Sequence, residues 1–370
     1  MSRKLISLSA AAALICSTAI ADAPDVAVDI APVHSLVARV MQGVGTPELV
    51  IDQGASPHEY NLRPSDAKAL QDAKLVFWMG EDLTPWMEDA LETLSGDAKI
   101  VSLLEAKETS LLEFREGALF EEHDHGDKDH DGHDDHDDHE DHSDEKHDDH
   151  DGHEDHGDEK HDDHDGHEDH GDEKHDDHDG HEDHGEKKHD DHDDHDDHGH
   201  GAHDPHAWLS LENANAWLNM IAAKLSETDP KNAGTYFANA ASAREEILAL
   251  KAEVSAKLDP VRGHSFIVFH DAYQYFESSF DFPASGAISL GDASDPSPAR
   301  ISEIQDRVDD EGVDCVLAEP QFNQGIVSAV LEGTDAKTGV IDPLGFGLEP
   351  GPELYPQLIR NMAKTLTGCL

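Results

Sequence analysis

The sequence predicts an α/β protein of two lobes, each with a central sheet and crossover helices, joined by one long rigid backbone helix. Two series of short apolar runs alternate with helical stretches, within residues 26–78 and 266–341, as in sheets covered by helices. A continuous helical pattern lies between the two series. Residues 121–204 differ sharply in composition, and we expect them to form a disordered insertion in the N-terminal lobe.

The chain length supports two lobes. Its 370 residues include a leader of 21 and the insertion of 84, and the remaining 265 exceed the ~100 to 150 residues of one ordinary core. We therefore predict three regions of the mature chain: an N-terminal lobe at 22–228, a backbone helix at 229–262 and a C-terminal lobe at 263–370.

Individual elements follow from apolar runs and helix-end signals. Ser65 is the expected N-cap of the second helix. The elements predicted for the N-terminal lobe are strand 26–30, a helix from 35 to 41, strand 49–51, helix 66–72 and strand 75–78. Those predicted for the C-terminal lobe are strand 266–269, a helical stretch at 273–280, strand 315–318 and strand 340–341.

The connecting helix should begin at Asp229-Pro230 and end at Leu258, before Asp259-Pro260. Its apolar residues recur at three- and four-residue steps and predict one buried stripe. The stripe comprises Phe237, Ala240, Ala243, Ile247, Leu250, Val254 and Leu258. A helix of this length disfavours wide hinge motion, because bending would break packed helical turns; an ordinary surface helix is the alternative.

The first 21 residues have the pattern of a signal peptide. Arg3 and Lys4 precede an apolar run at 5–16, and the segment 19–21 matches the small-x-small cleavage pattern. The apolar run is shorter than the roughly 20 residues that span a bilayer. We therefore predict export to the periplasm, cleavage near Ala21 and no membrane anchor.

The charge argues against some classes of partner. The net charge of −57 excludes a surface for nucleic acid or anionic lipid. Residues 121–204 hold 41 acidic residues, 6 basic residues and 25 of the 30 histidines, with a repeating unit of 14 residues from Glu145. Closely spaced imidazoles with neighbouring carboxylates predict several weak, exchanging metal sites. The alternative is a solubilising acidic linker. The candidate weak ligands are His123, His125, His147, His150, His153, His156, His198, His200 and His203.

Four other side chains lie where predicted strands end. His58 follows the second strand, His270 ends the strand at 266–269, Asp342 ends the last strand, and His206 follows the insertion. Because ligands bind at the carboxyl ends of strands in open α/β sheets, two facing lobes would bring these residues into one cleft. Three imidazoles and one carboxylate suit tetrahedral Zn²⁺.

Other histidines and the cysteines have different expected roles. A single histidine at a strand end is more often a hydrogen-bonded core residue, and His34 and His264 are expected to make only local hydrogen bonds. Cys315 and Cys369 are the two cysteines outside the signal peptide. In an exported protein they predict a disulfide that ties down the C-terminus, with two free buried thiols as the alternative.

Four segments together resemble a known family. They are 54–66 (GASPHEYNLRPSD), 204–210 (DPHAWLS), 269–276 (FHDAYQYF) and 341–345 (IDPLG). They closely resemble the zinc-binding members of the cluster A-I, or cluster 9, metal solute-binding proteins, over essentially the whole mature chain. The resemblance implies two α/β domains joined by a backbone helix. It also implies a monomer that delivers zinc to an inner-membrane ABC permease with a cytoplasmic ATPase.

The resemblance also assigns residues. The ligand positions of the family fall on His58, His206 and His270, and Asp342 matches the fourth ligand of manganese- and zinc-binding relatives. Manganese members have Glu at the position of His270, which favours zinc here. Some zinc members use a glutamate just before the first histidine, where this chain has Pro57, or a water. Glu59 or water are therefore alternatives to Asp342.

The resemblance supports the pairing of Cys315 with Cys369. Two other functions stay open from the residues alone. A periplasmic zinc buffer, metallochaperone or adhesin would bind zinc without a transport partner. A zinc hydrolase would use three histidines and a water.

Overall fold

The computed structural model describes residues 23–115, 120, 203–289, 291 and 296–370. The predicted signal peptide and most of the insertion, residues 121–202, lie outside these ranges. Their predicted cleavage, disorder and weak metal ligands therefore stay predictions. Among the nine named histidines of the insertion, His203 lies within the described residues.

The N-terminal lobe contains a four-stranded parallel sheet. Its elements in chain order are β1 (Val26–Val28), α1 (Ala31–Val40), β2 (Glu48–Leu49), α2 (Pro64–Asp72), β3 (Leu75–Trp78), α3 (Pro85–Leu94) and β4 (Lys99–Ser102). The strand order is β2-β1-β3-β4. Strands β1 and β3 are fully buried, as expected for central strands covered on both faces.

The C-terminal lobe repeats this architecture. Its elements are β5 (Phe266–His270), α6 (Gln274–Phe280), β6 (Gly286–Ser289), α7 (Pro298–Glu311), β7 (Cys315–Ala318), α8 (Gln324–Val330), β8 (Lys337–Val340) and α9 (Leu354–Cys369). The parallel strands have the order β6-β5-β7-β8. The two sheets confirm the predicted fold class.

Two helices connect the sheets, α4 (Leu211–Thr228) and α5 (Ala233–Leu258). Helix α5 has 26 residues and is ~39 Å long. One hydrophobic core contains residues of both sheets together with α1, α4, α5 and α9, and each lobe has a smaller cluster besides. A wide hinge movement would expose part of this shared core to water.

The buried stripe of α5 agrees with the prediction except at its start. Phe237 is 48 % exposed, so its assignment to the stripe is wrong. Tyr236 is buried instead, and its hydroxyl donates to Asp229 Oδ2 at 2.9 Å. The helix also begins later than predicted, because Pro230–Asn232 form a 3₁₀ turn.

Helix α2 begins at Pro64, two residues before its predicted first residue. Pro64 occupies the first turn and Arg63 is the N-cap, so the prediction of Ser65 is wrong. Proline favours this position because its fixed φ fits a helix and its missing N–H is not needed there. The Asp66 carboxylate accepts from the Arg63 N–H at 2.9 Å and completes the cap.

The predicted disulfide is confirmed. Cys315 on β7 bonds to Cys369 in the last turn of α9, with Cα atoms 5.8 Å apart. The bond attaches the C-terminal helix to the centre of the second sheet.

Candidate metal centre

His58 lies on the loop between β2 and α2. The carbonyl of Pro57 accepts a hydrogen bond from Trp86 Nε1 at 2.8 Å, which fixes the chain next to the imidazole. The His58 N–H donates to Ser56 Oγ at 3.3 Å. These bonds hold the histidine at the carboxyl edge of the first sheet.

His206 lies directly before a 3₁₀ turn at Ala207–Leu209, and its side chain is almost fully buried. One oxygen of Asp204 accepts from the His206 backbone N–H at 2.9 Å and lies 2.7 Å from Nδ1. An Nδ1–H donated to this carboxylate leaves Nε2 as the ligating nitrogen. Burial raises the pKa of Asp204 to about 7, although the His206 N–H lowers it.

His270 is the last residue of β5, and only 5 % of it is exposed. Its Nδ1 lies 2.7 Å from Oε1 of Glu319, which directly follows the neighbouring strand β7. Glu319 is 1 % exposed. The arrangement repeats that of His206, since a buried carboxylate orients the ring from its Nδ1 side.

The three imidazoles meet in one cavity. The ring centroids of His58 and His206 are 5.5 Å apart, and those of His206 and His270 are 5.3 Å apart. All three line the same cavity, together with Trp208 and Glu319. Two imidazoles on one tetrahedral zinc, with Zn–N of ~2.0 to 2.1 Å, would have centroids roughly 5 Å apart.

The three imidazoles are close together but are not yet placed to coordinate one ion. Within the part of the chain that the structure describes, no group of three or more His, Cys, Asp or Glu side chains is already placed to hold a metal ion. Coordination at the three imidazoles therefore requires small side-chain adjustments around the ion.

Asp342 does not line the histidine cavity. It lines a larger, open cavity beside α9, and its Oδ1 accepts from the N–H groups of Leu344 and Gly345 at 2.9 and 3.0 Å. Burial raises the pKa of Asp342, while these N–H groups lower it. Pro343 and Leu344 reach the histidine cavity, and Glu59 is exposed. The identity of the fourth ligand stays a prediction.

His34 and His264 lie outside the histidine cavity. Their hydrogen bonds are not local, contrary to the prediction. His34 Nε2 bonds to the carbonyl of Pro47 at 3.0 Å, and His264 Nδ1 lies 2.9 Å from an oxygen of Asp314, fifty residues away.

Two carboxylates that orient the ligand candidates were not predicted from the sequence. Asp204 precedes His206 by two residues, a spacing that allows both backbone and ring contacts with one oxygen. Glu319 directly follows a strand, so the strand-end rule used for the histidines would have found it.

Two parallel α/β lobes with a histidine-lined cavity between them define a solute-binding protein of the metal-binding class. A family model described as "Zinc-uptake complex component A periplasmic" (ZnuA) matches residues 26–369. The high-affinity zinc uptake system protein ZnuA of Brucella abortus (strain 2308) is 42% identical over 345 residues, covering 93% of this chain and 91% of that protein. The protein of the same name from Paracoccus denitrificans (strain Pd 1222) is 42% identical over 364 residues, covering 98% and 97%.

Solved structures share the fold. A crystal structure of ZnuA has a TM-score of 0.63 at 17% identity, covering 94% of this chain and 99% of that one. The laminin-binding adhesin Lmb of Streptococcus agalactiae, solved as a mutant, has a TM-score of 0.62 at 20% identity, covering 94% and 99%.

The chain belongs to the ZnuA family of periplasmic components of zinc-uptake complexes. The family consists of transport solute-binding proteins of ABC systems and not of enzymes. Among the helices that the structure describes, none has the length and apolar character needed to cross a membrane.

Proposed function

We propose that this protein captures Zn²⁺ between its lobes with His58, His206 and His270 and delivers the ion to an inner-membrane ABC permease. The fourth ligand is Asp342, with Glu59 or water as alternatives. The ion is cargo and not a resident cofactor, so the site must bind tightly and also release.

The convergence of three imidazoles from separate segments carries this proposal. His58 lies on the loop after β2, His270 ends β5, and His206 directly precedes a 3₁₀ turn. The centroid spacings of 5.5 and 5.3 Å suit one zinc ion. Buried carboxylates orient two of the rings, as expected for a preorganised zinc site. A preorganised site binds more tightly than a flexible chain, because less entropy is lost on coordination.

The histidine-rich insertion acts as a low-affinity zinc collector or sensor. Its histidines and carboxylates raise the local zinc concentration, and its last residues lead directly to His206. Zinc binds neutral imidazole, so the weak sites empty as the pH falls through ~6 to 7.

Release to the permease requires only local movement. The shared core and helix α5 oppose wide lobe separation. The cytoplasmic ATPase of the importer would drive the transport step that follows release.

Zinc titration of the full-length mature chain tests the proposal. We expect one tight site, measured by competition with a chromophoric chelator, and several weak sites. His58→Ala, His206→Ala and His270→Ala should each weaken the tight site by more than about a hundredfold, because each removes a ligand. Asp342→Ala should weaken it far less than His58→Ala.

His264→Ala is the matched control, because His264 lies outside the cavity and bonds to Asp314. Deletion of residues 123–200 should remove the weak sites and preserve the tight one. Loss of the tight site in the deletion variant would show that the insertion itself is the main binding element. Retention of tight binding in all three histidine variants would contradict the proposed site.

A further inference from the structure

The segment before the insertion is paired with the last residues of the insertion. We call residues 112–115 and 203–204 the base of the insertion. Glu113 and His203 form an antiparallel bridge within it. Tyr275 on α6 binds both segments. Its hydroxyl donates to the backbone carbonyl of Asp204 at 2.8 Å and accepts from the backbone N–H of Leu112 at 2.9 Å. The base is thus attached to the C-terminal lobe.

Arg115 makes the strongest contacts of the base. Its Nε lies 3.0 and 2.9 Å from the two oxygens of Asp271, and its terminal nitrogens lie 2.8 and 3.1 Å from the oxygens of Glu277. A further terminal nitrogen contact joins Arg115 to Asp271. The side chains of Asp271 and Glu277 are 4 % and 5 % exposed, and that of Arg115 is 16 % exposed. Two forked, charge-assisted pairs at one guanidinium fix its position closely.

These partners lie next to the candidate zinc ligands. Asp271 directly follows His270, so the guanidinium holds the chain that carries this imidazole. Asp204 belongs to the base and binds both the backbone and the ring of His206. Arg115 therefore connects the segment of one ligand candidate with the segment of another.

We propose that Arg115 is a positioning residue for zinc capture, which holds the base of the insertion, and with it His206, against the segment that carries His270. This inference rests on the proposed function and deepens it. It assigns to Arg115 a role separate from the weak ligands of the insertion, because Arg115 acts through Asp271 and is not itself a ligand.

An arginine suits this role better than a lysine. Its planar fork can bind two carboxylates at once in a fixed orientation, whereas an ammonium group is a point charge on a flexible stem. The chain offers a matched control in Arg360. It also forms a forked pair, with Glu253 at 3.0, 3.0 and 2.9 Å, but both side chains are exposed and lie outside the histidine cavity.

The test uses the full-length mature chain and the variants Arg115→Met, Arg115→Lys and Arg360→Met. The measurements are zinc affinity at the tight site, the zinc dissociation rate, the thermal unfolding temperature, and the visible absorption spectrum with one equivalent of Co²⁺. We expect Arg115→Met to weaken zinc binding about tenfold through faster dissociation and to alter the Co²⁺ spectrum. Arg115→Lys should show an intermediate loss, and Arg360→Met should bind zinc within twofold of the wild type.

A purely structural role would give a different result. Lower unfolding temperatures with wild-type affinity, dissociation rate and Co²⁺ spectrum in both Arg115 variants would overturn the inference. If Arg115→Met does not fold, Arg115→Lys decides by the same criteria, because it keeps the buried positive charge. His206→Ala separates the two ideas. Unchanged zinc binding in His206→Ala would contradict the proposed function itself. Loss of zinc binding in His206→Ala, together with wild-type zinc binding in both Arg115 variants, would overturn this inference alone.

Discussion

Replacement of Glu319 tests whether a buried carboxylate organises the zinc site from behind His270. Glu319→Gln keeps an oxygen that can accept from Nδ1 but removes the charge, and Glu319→Leu removes the hydrogen bond. Oε1 of Glu319 lies 2.7 Å from His270 Nδ1, and the side chain is 1 % exposed, so solvent does not screen this contact. The same oxygen also accepts from the His270 backbone N–H at 3.4 Å.

The expected loss follows from the strength of this hydrogen bond. A hydrogen bond to a charged group contributes about 1.5–3 kcal/mol, and a tenfold change in affinity corresponds to about 1.4 kcal/mol. Loss of such an orienting partner weakens metal binding by about 10- to 100-fold. We expect about tenfold weaker zinc binding for Glu319→Gln and about a hundredfold for Glu319→Leu.

Competition titration with a chromophoric chelator at neutral pH measures the effect. Glu253→Gln is the control, because Glu253 also pairs with a single side chain but is exposed. Thermal unfolding of the zinc-free proteins verifies that each variant is folded. Affinities within twofold of the wild type for both Glu319 variants would refute the idea that this carboxylate orients His270.

Three further predictions concern stability. Replacing Cys315 and Cys369 by serine should lower the free energy of unfolding by about 4 kcal/mol in urea titrations, since the bond closes a loop with a sequence separation of 54. Gly54→Ala should lower the free energy of unfolding by about 1–3 kcal/mol, because Gly54 has φ +87° and a Cβ there would meet the Phe346 ring. Adding Phe346→Ala should remove the steric clash but not the backbone strain, so it should restore only part of this stability. Burial lowers the pKa of His34 from 6.5, so the unfolded state binds more protons and stability falls as the pH drops below about 6.5. His34→Gln should therefore flatten the dependence of the urea midpoint on pH between about 5 and 7.

The sequence predicted the fold class well where local signals and tertiary packing agree. Strands β3 and β7 match their predicted ranges, because each is a short apolar run buried on both faces. The edge strand β4 was missed, since it begins with Lys99 and lies half exposed. Helix α9 (Leu354–Cys369) was missed as well.

The candidate site was predicted in part. Strand ends identified His58 and His270, and the position directly after the insertion identified His206. The structure brings all three histidines into one cavity. The position of a carboxylate after a strand does not show which way its side chain points, because that direction depends on the backbone beyond the strand. Asp342 was predicted to end the last strand, but β8 ends two residues earlier, at Val340. Two N–H groups of the next turn bind its Oδ1, and the residue lines the neighbouring cavity.

The attachment of α9 to the first half of the molecule has a consequence for how the protein matures. The Tyr355 N–H donates to Ser35 Oγ at 2.9 Å, and its hydroxyl donates to the carbonyl of Trp208 at 2.9 Å, two residues beyond His206. A chain is synthesised from its amino end, so these contacts form only after nearly the whole polypeptide is available. The contacts of Tyr355 with the segment that follows His206 are therefore completed late, by the last helix of the chain.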